Sequence, residues 1–223
     1  MKEFSAEQIR NFALIGHGAS GKTILSEAML FNAGITTRMG TIEDGNTVSD
    51  YHPSEIERQI SVHATPLFLE WMDTKFNFID TPGTSDFIGE SLGALGVVDF
   101  VLVTVHGVNG VEVGTEQMWR YANKQDIPKI LVVTCLNKEN TNFDQVLEQC
   151  RNQFGQKVFP LQLPVNSGPG FNQIVDVLRN EIVTYQTDGS GKFTESPAEG
   201  EWAERVAELH EQLIEYVAES DDS

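Results

Sequence analysis

Cysteine and positive charge are both scarce in this 223-residue chain: it has two cysteines, and 15 Lys and Arg against 33 Asp and Glu. Cys135 and Cys150 sit in apolar runs without metal-ligand spacing, too few for a disulfide framework. Both are expected to be buried, reduced thiols of a cytoplasmic protein. A net charge of -18 excludes broad electrostatic attraction to nucleic acid. Binding to free DNA is therefore not expected, and any RNA contact needs a local basic spot. The same charge favours a soluble, self-repelling surface, and a monomer is expected. No apolar run approaches the roughly 20 residues that a membrane span needs, and Met1-Lys2-Glu3-Phe4 leads directly into polar residues. His17, His52, His63, His106 and His210 show no metal-ligand spacing.

What the chain has in quantity is short apolar runs separated by segments of helical period. Runs at 12–15, 62–71, 76–79, 100–105 and 130–135 read as strands, and stretches at 24–32, 87–95, 113–124 and 142–154 read as helices. That alternation predicts an α/β fold with a mostly parallel, doubly wound sheet covered on both faces. Residues 38–60 are polar, contain Gly40, Gly45, Asn46 and Pro53, and read as a long mobile segment. The two prolines of Val158-Phe159-Pro160-Leu161-Gln162-Leu163-Pro164 suit an edge strand. Ile174, Val175, Val177 and Leu178 follow at helical spacing. Ser196-Pro197-Ala198-Glu199 has the form of a helix start with proline at its first position, ahead of the apolar stripe Trp202, Val206, Leu209, Leu213 and Val217.

Gly16-His17-Gly18-Ala19-Ser20-Gly21-Lys22-Thr23 is a complete G-x-x-x-x-G-K-[ST] loop between the first strand and the first helix. Glycines there let successive N–H groups turn toward phosphate at a helix N-terminus, whose dipole favours anions. Lys22 is placed to reach the β- and γ-phosphates, and the Thr23 hydroxyl to ligate Mg2+. This makes the expected fold that of a phosphate-loop (P-loop) NTPase. Asp80-Thr81-Pro82-Gly83 follows a strand. An aspartate at that point can hold Mg2+ through water, and the Gly83 N–H can bond a γ-phosphate whose loss releases the next segment.

Asn137-Lys138-Glu139-Asn140 keeps three of the four positions of the guanine-reading pattern N-K-x-D. A carboxylate at the fourth position accepts from both guanine N1–H and the exocyclic amine. Asn140 offers one acceptor and one donor, and the unpaired donor costs on the order of 1 to 3 kcal/mol. It suits a base with oxygen at that edge, such as xanthine, better than guanine. Asn140 also reads as an N-cap for a helix beginning near Thr141.

In this order and spacing the three motifs resemble the guanine-nucleotide domain of translational GTPases, and look most like the elongation factor G-like group. Phe31-Asn32-Ala33-Gly34, Glu43-Asp44-Gly45-Asn46-Thr47-Val48-Ser49-Asp50 and Pro160-Leu161-Gln162-Leu163-Pro164 are similar to segments of that family, as is Glu57-Arg58-Gln59-Ile60-Ser61 where many members have R-G-I-T. The resemblance implies GTP or GDP as ligand, Mg2+ as cofactor, GTP hydrolysis and action on the ribosome. It implies nucleotide contacts from residues 16–23, Asp80, Asn137, Lys138 and Asn140, and Mg2+ ligation by Thr23, Ser61 and Asp80. Lys22, Ser61, Gly83 and Thr84 take the catalytic positions. Ser61 stands for the switch threonine, keeping its hydroxyl. Thr84 stands where the family has a histidine that positions the attacking water, so slow hydrolysis is expected. Ala19 stands where an aspartate is frequent, which removes a ligand from any monovalent-cation site.

Residues 158–178 are open to two readings by pattern alone: the last strand, base loop and final helix of a small GTPase, or the start of an insertion. The resemblance favours the insertion. The expected division is then a GTP-binding core over 1–155 and the beginning of an inserted subdomain over 156–223. The chain would be an N-terminal portion lacking one wall of the guanine pocket.

Overall fold

Side-chain alternation along β1 (Ile9–Gly16) sets the layering of the N-terminal part of the chain. Phe12 and Leu14 pack with Leu30, Leu69 and Phe78 on one side. Ala13 and Ile15 pack with Ala94, Leu95, Val101, Val103, Met118 and Ala122 on the other. This period of two on a strand buried on both faces marks the centre of a covered sheet. The structure, a computed structural model, describes residues 3–221. It divides at 134/135 into two compact units.

In chain order the first unit contains β1, α1 (Lys22–Asn32), α2 (Pro53–Arg58), β2 (Thr65–Trp71), β3 (Thr74–Asp80), α3 (Ile88–Leu95), β4 (Phe100–His106), α4 (Val113–Lys124) and β5 (Lys129–Thr134). The sheet order is β2-β3-β1-β4-β5. β3, β1, β4 and β5 are parallel and β2 is antiparallel to β3. Met72 and Asp73, at φ 47° and 60°, make the tight β2–β3 turn whose twist matches that of the strands. Phe12 is paired in register with Phe78 on β3 and Phe100 on β4, and its ring stacks on each at 5.2 Å. The register also brings Gly16 beside Thr104, Leu14 beside Asp80 and His106 beside Thr134, so the carboxyl ends of the parallel strands share one edge.

Residues 38–60, expected to form a long mobile segment, include regular structure. α2 lies within them, with His52 as N-cap and proline in its first turn. Two buried carboxylates, Glu27 and Glu55, tie the segment down through backbone N–H groups.

The second unit holds α5 (Phe143–Phe154), β6 (Gln162–Pro164), β7 (Gln173–Asp176), β8 (Glu181–Tyr185), β9 (Phe193–Pro197) and α6 (Glu201–Asp221). Its strands form an antiparallel sheet in the order β6-β7-β8-β9. Leu163, Val175, Val177, Val206 and Leu209 are its core, with Phe143 and Trp202 packed against them. Phe143 of α5 joins that core, and Asp144 pairs with Arg205 at 2.8 Å, so α5 packs within the second unit.

Two expectations for this part are corrected. Ile174 and Val175 belong to β7, and Val177 and Leu178 to the turn after it, where Asp176 accepts from the N–H groups of Leu178 and Arg179 at 3.0 Å each. β-branched residues in a short hairpin imitate a helical period there. Ser196 and Pro197 end strand β9, paired with Ile182 and Glu181, and α6 begins only at Glu201. β9 is an edge strand, where a residue without an N–H is tolerated.

Phe78 is fully buried between β1 and α1. Phe78→Ala is expected to lower unfolding free energy by about 3–5 kcal/mol, read as a lower urea midpoint.

Candidate nucleotide site

The loop after β1 is held by hydroxyl groups from neighbouring strand ends. Ser20 Oγ donates to the His17 carbonyl at 2.7 Å and meets Thr104 Oγ1 at 2.6 Å. Thr134 Oγ1 donates to the Ser20 carbonyl at 2.8 Å, and Thr81 Oγ1 to the Leu14 carbonyl at 2.6 Å. Ala19 within the loop has φ 58°, an unfavourable conformation for a residue with a Cβ. The His17 ring accepts from the Gly114 N–H at 3.3 Å and lies 3.7 Å from Glu112, so the loop is also tied to the start of α4.

Lys22 opens α1 and is 5% exposed. Its ammonium donates to the carbonyls of His17 at 2.7 Å and Gly16 at 3.4 Å. Burial pushes its pKa down to about 8, with Asp80, Asp50 and Glu112 opposing that fall. Gly83 lies directly on the loop: a Cβ there would collide with Lys22 Nζ and stand 2.6 Å from Gly18 N and the His17 carbonyl. Only glycine fits so close an approach.

Beside Lys22 the structure gathers Thr23, Ser49, Asp50, Ser61 and Asp80. Thr23 Oγ1 and Ser61 Oγ are 3.2 Å apart. Ser49 Oγ donates to Asp80 Oδ2 at 2.6 Å. Asp80 Oδ1 and both oxygens of Asp50 are buried without a hydrogen bond. Asp50 is 5% exposed and Asp80 fully buried. Burial raises both carboxyls, Asp50 to about 6; the Ser61 hydroxyl near Asp50 offsets part of that rise, and the Ser49 and Thr23 hydroxyls do the same at Asp80. Carboxylate oxygens left unsatisfied in a buried pocket call for a cation. Among the described residues no group of three or more His, Cys, Asp or Glu could hold a metal ion. Two hydroxyls with a few carboxylate oxygens are the donor set suited to Mg2+, which keeps waters and phosphate in its shell. The residues present therefore fit that ion.

Thr84 follows Gly83 with its methyl facing Gly18 and its hydroxyl buried without a partner. A cavity of about 380 Å³ beside the loop is lined by Gly18, Gly83, Thr84, Ile88, Gln117 and Met118, among others.

Asn137, Lys138 and Asn140 lie in the second unit, on the turn leading into α5. The Cys135 carbonyl accepts from the Lys138 N–H at 3.1 Å, and the Lys138 carbonyl from Thr141 Oγ1 at 2.7 Å. Asn140 has φ 62°. The N-cap of α5 is Asn142, whose side chain accepts from the Gln145 N–H at 3.0 Å, so the capping role expected of Asn140 falls to Asn142. Both cysteines are free, but only Cys150 is buried, which raises its thiol to about 11; Cys135, expected to be buried, is half-buried.

A family model described as "Elongation factor Tu GTP binding domain" matches residues 7–219. The chain belongs to this family. As a member of it, the chain is a GTP-binding domain of the translational GTPase type with a P-loop α/β fold. It is 32% identical to elongation factor G of Mycoplasma pneumoniae over 96% of its length, and 31% identical to elongation factor G of Granulibacter bethesdensis over 98%. It spans 31% and 32% of the lengths of those relatives. A crystal structure of a Thermus thermophilus protein superposes with a TM-score of 0.89 at 33% identity, covering 96% of this chain and 32% of that one. Among the described residues no helix is long and apolar enough to cross a membrane.

The sequence reading of this GTP-binding domain missed Asp50, Ser49, Glu27 and Glu55. Their only signal is a carboxylate or hydroxyl in a polar stretch, which does not distinguish a solvated side chain from a buried one. Asp50 gives a test. Its folded pKa of about 6 lies above its usual 3.8, so without a cation its ionisation destabilises the folded form as pH rises between those values. In EDTA and without nucleotide, Asp50→Asn is expected to melt higher than the parent at pH 7, with the difference narrowing as pH falls below the folded value of about 6 and vanishing only below the usual value of 3.8.

Proposed function

We propose that this domain binds GTP or GDP with Mg2+ and hydrolyses GTP, as the switch domain of an elongation factor G-like translation factor in the cytoplasm. The observation that carries the reading is the buried, unsatisfied pair Asp50 and Asp80 beside Lys22, Thr23 and Ser61 at the base of a complete phosphate loop. In this reading the N–H groups of residues 16–23 cradle the phosphates, and Lys22 leaves the His17 carbonyl for phosphate oxygen. Thr23, Ser61 and Asp80 hold the ion, with Asp50 beside them. The ion supplies charge neutralisation at the β- and γ-phosphates. Gly83 donates its N–H to the γ-phosphate, and Asn137 and Lys138 hold and cover the base. The ribosome enters through likeness to elongation factor G alone. Nothing beyond that likeness names a partner.

A second reading, a nucleotide-gated binding module with little hydrolysis, is favoured by Thr84. Its short side chain carries no imidazole, and its hydroxyl is buried with no partner. Single-turnover hydrolysis with and without ribosomes separates the two. Acceleration by ribosomes supports the enzyme, and an unchanged rate supports the module. Thr84→His is expected to raise the single-turnover rate by about ten- to a hundredfold if the position works as a family histidine does. GTP with Mg2+ must also raise the melting temperature by mass action, and a chain whose melting is indifferent to it does not bind. In competition between GTP and XTP, Asn140→Asp is expected to gain preference for GTP by roughly tenfold.

A further inference from the structure

Glu27 lies on α1, buried to 1% exposure, and has no part in the chemistry above. Both its oxygens are used. Oε2 accepts from the Gly40 N–H at 2.8 Å and Oε1 from the Val48 N–H at 2.6 Å. Between those points the chain closes on itself, with the Thr41 N–H on Asn46 Oδ1 at 2.8 Å and the Gly45 N–H on the Ile42 carbonyl at 3.0 Å. Directly after them Ser49 bonds Asp80, and the Ser49 carbonyl accepts from Thr65 Oγ1 at 3.1 Å. Gly40 sits so close to Glu27 that a Cβ would stand 2.7 Å from Oε2 and 2.7 Å from the Asn46 carbonyl. Residues 40–50 are thus fastened to α1, β2 and β3 by protein groups alone.

The following stretch is fastened to itself. Glu55, 1% exposed, accepts from the N–H groups of Val62 and His63 at 3.0 Å each and of His52 at 3.1 Å. The rings of His52 and His63 meet edge to face at 5.4 Å. This stapled loop meets the phosphate side through the Thr23–Ser61 hydroxyl contact at 3.2 Å and the Ser61 hydroxyl beside Asp50, and Ile56 lies against Gly45. Between the two parts stands Tyr51, largely exposed.

We propose that Glu27 is a positioning residue that divides the first switch: it holds residues 40–50 as a fixed clamp keeping Ser49 and Asp50 at the cation side, so that only 51–61 moves with nucleotide state. This rests on the nucleotide-switch reading above. A charged acceptor satisfying two backbone donors is suited to that work, because glutamine in its place would set an N–H donor against one of them.

Amide hydrogen exchange of the unmodified protein with GDP, with a non-hydrolysable GTP analogue and without nucleotide tests the division. Gly40 and Val48 are expected to keep one protection level throughout, while residues 51–61 change. A change at Gly40 and Val48 as large as that at 51–61 overturns the clamp. Glu27→Gln is expected to weaken GTP binding about tenfold in Mg2+ while leaving affinity in EDTA unchanged, and to speed exchange at Gly40 and Val48. An equal loss in EDTA, or no loss at all, overturns the positioning role. Gly40→Ala disturbs the same contact from the other side and must give the same pattern, which keeps the test decisive if Glu27→Gln fails to fold. If the unmodified protein binds no nucleotide, the switch reading fails, whereas exchange of the free protein against Glu27→Gln still decides whether Glu27 clamps residues 40 and 48.

Discussion

The expense of burying charge organises the phosphate side of this domain. Lys22, Glu27, Asp50, Glu55 and Asp80 are all withdrawn from water, and an ion moved into a protein interior costs several kcal/mol unless bonded or paired. The five divide by how that cost is met. Glu27 and Glu55 are satisfied by backbone N–H groups, and they shape the chain. Lys22, Asp50 and Asp80 are only partly satisfied, and burial shifts each toward its neutral form. Incomplete satisfaction marks the groups that await something from outside the protein.

That distinction explains what could be read beforehand. The phosphate loop, Asp80 and Gly83 were legible because their chemistry fixes residue types at fixed spacings next to a strand. The strand and helix alternation was legible because both faces of the sheet are covered. Glu27 was not, since its partners, Gly40 and Val48, are backbone groups remote in sequence and offer no side-chain signal. Asp50 looked like one acidic residue among many in a chain of net charge -18. In the second unit, Val175, Val177 and Pro197 deceived for a related reason: hairpins are defined by pairing across strands, and a local pattern of three or four residues reports nothing about the partner.

The hydroxyl braces add a second design element. Thr81 and Thr104 bond the carbonyls of Leu14 and Ile15 at the end of β1, while Ser20 and Thr134 bond carbonyls of the loop itself, and none of the four adds charge. Carboxylates in those places would repel phosphate, and amines would compete with Lys22 for it. Threonine is also a good strand residue, so the same side chains serve the sheet and the loop. The threonine braces rise from strand ends on both sides of β1, and two of them lie against the loop's own glycines: a Cβ at Gly16 would stand 2.6 Å from Thr104 Oγ1, and one at Gly21 3.3 Å from Thr134 Cβ.

Gly83 rests against Gly18, His17 and Lys22 with no room for a methyl group. The turn after β3 therefore cannot move closer to the loop. On the proposed reading, a γ-phosphate bonded by the Gly83 N–H arrives where the two now touch, and its departure lets them meet again. The contact is then a mechanical stop: it sets the resting end of the stroke, and the arriving phosphate sets the other.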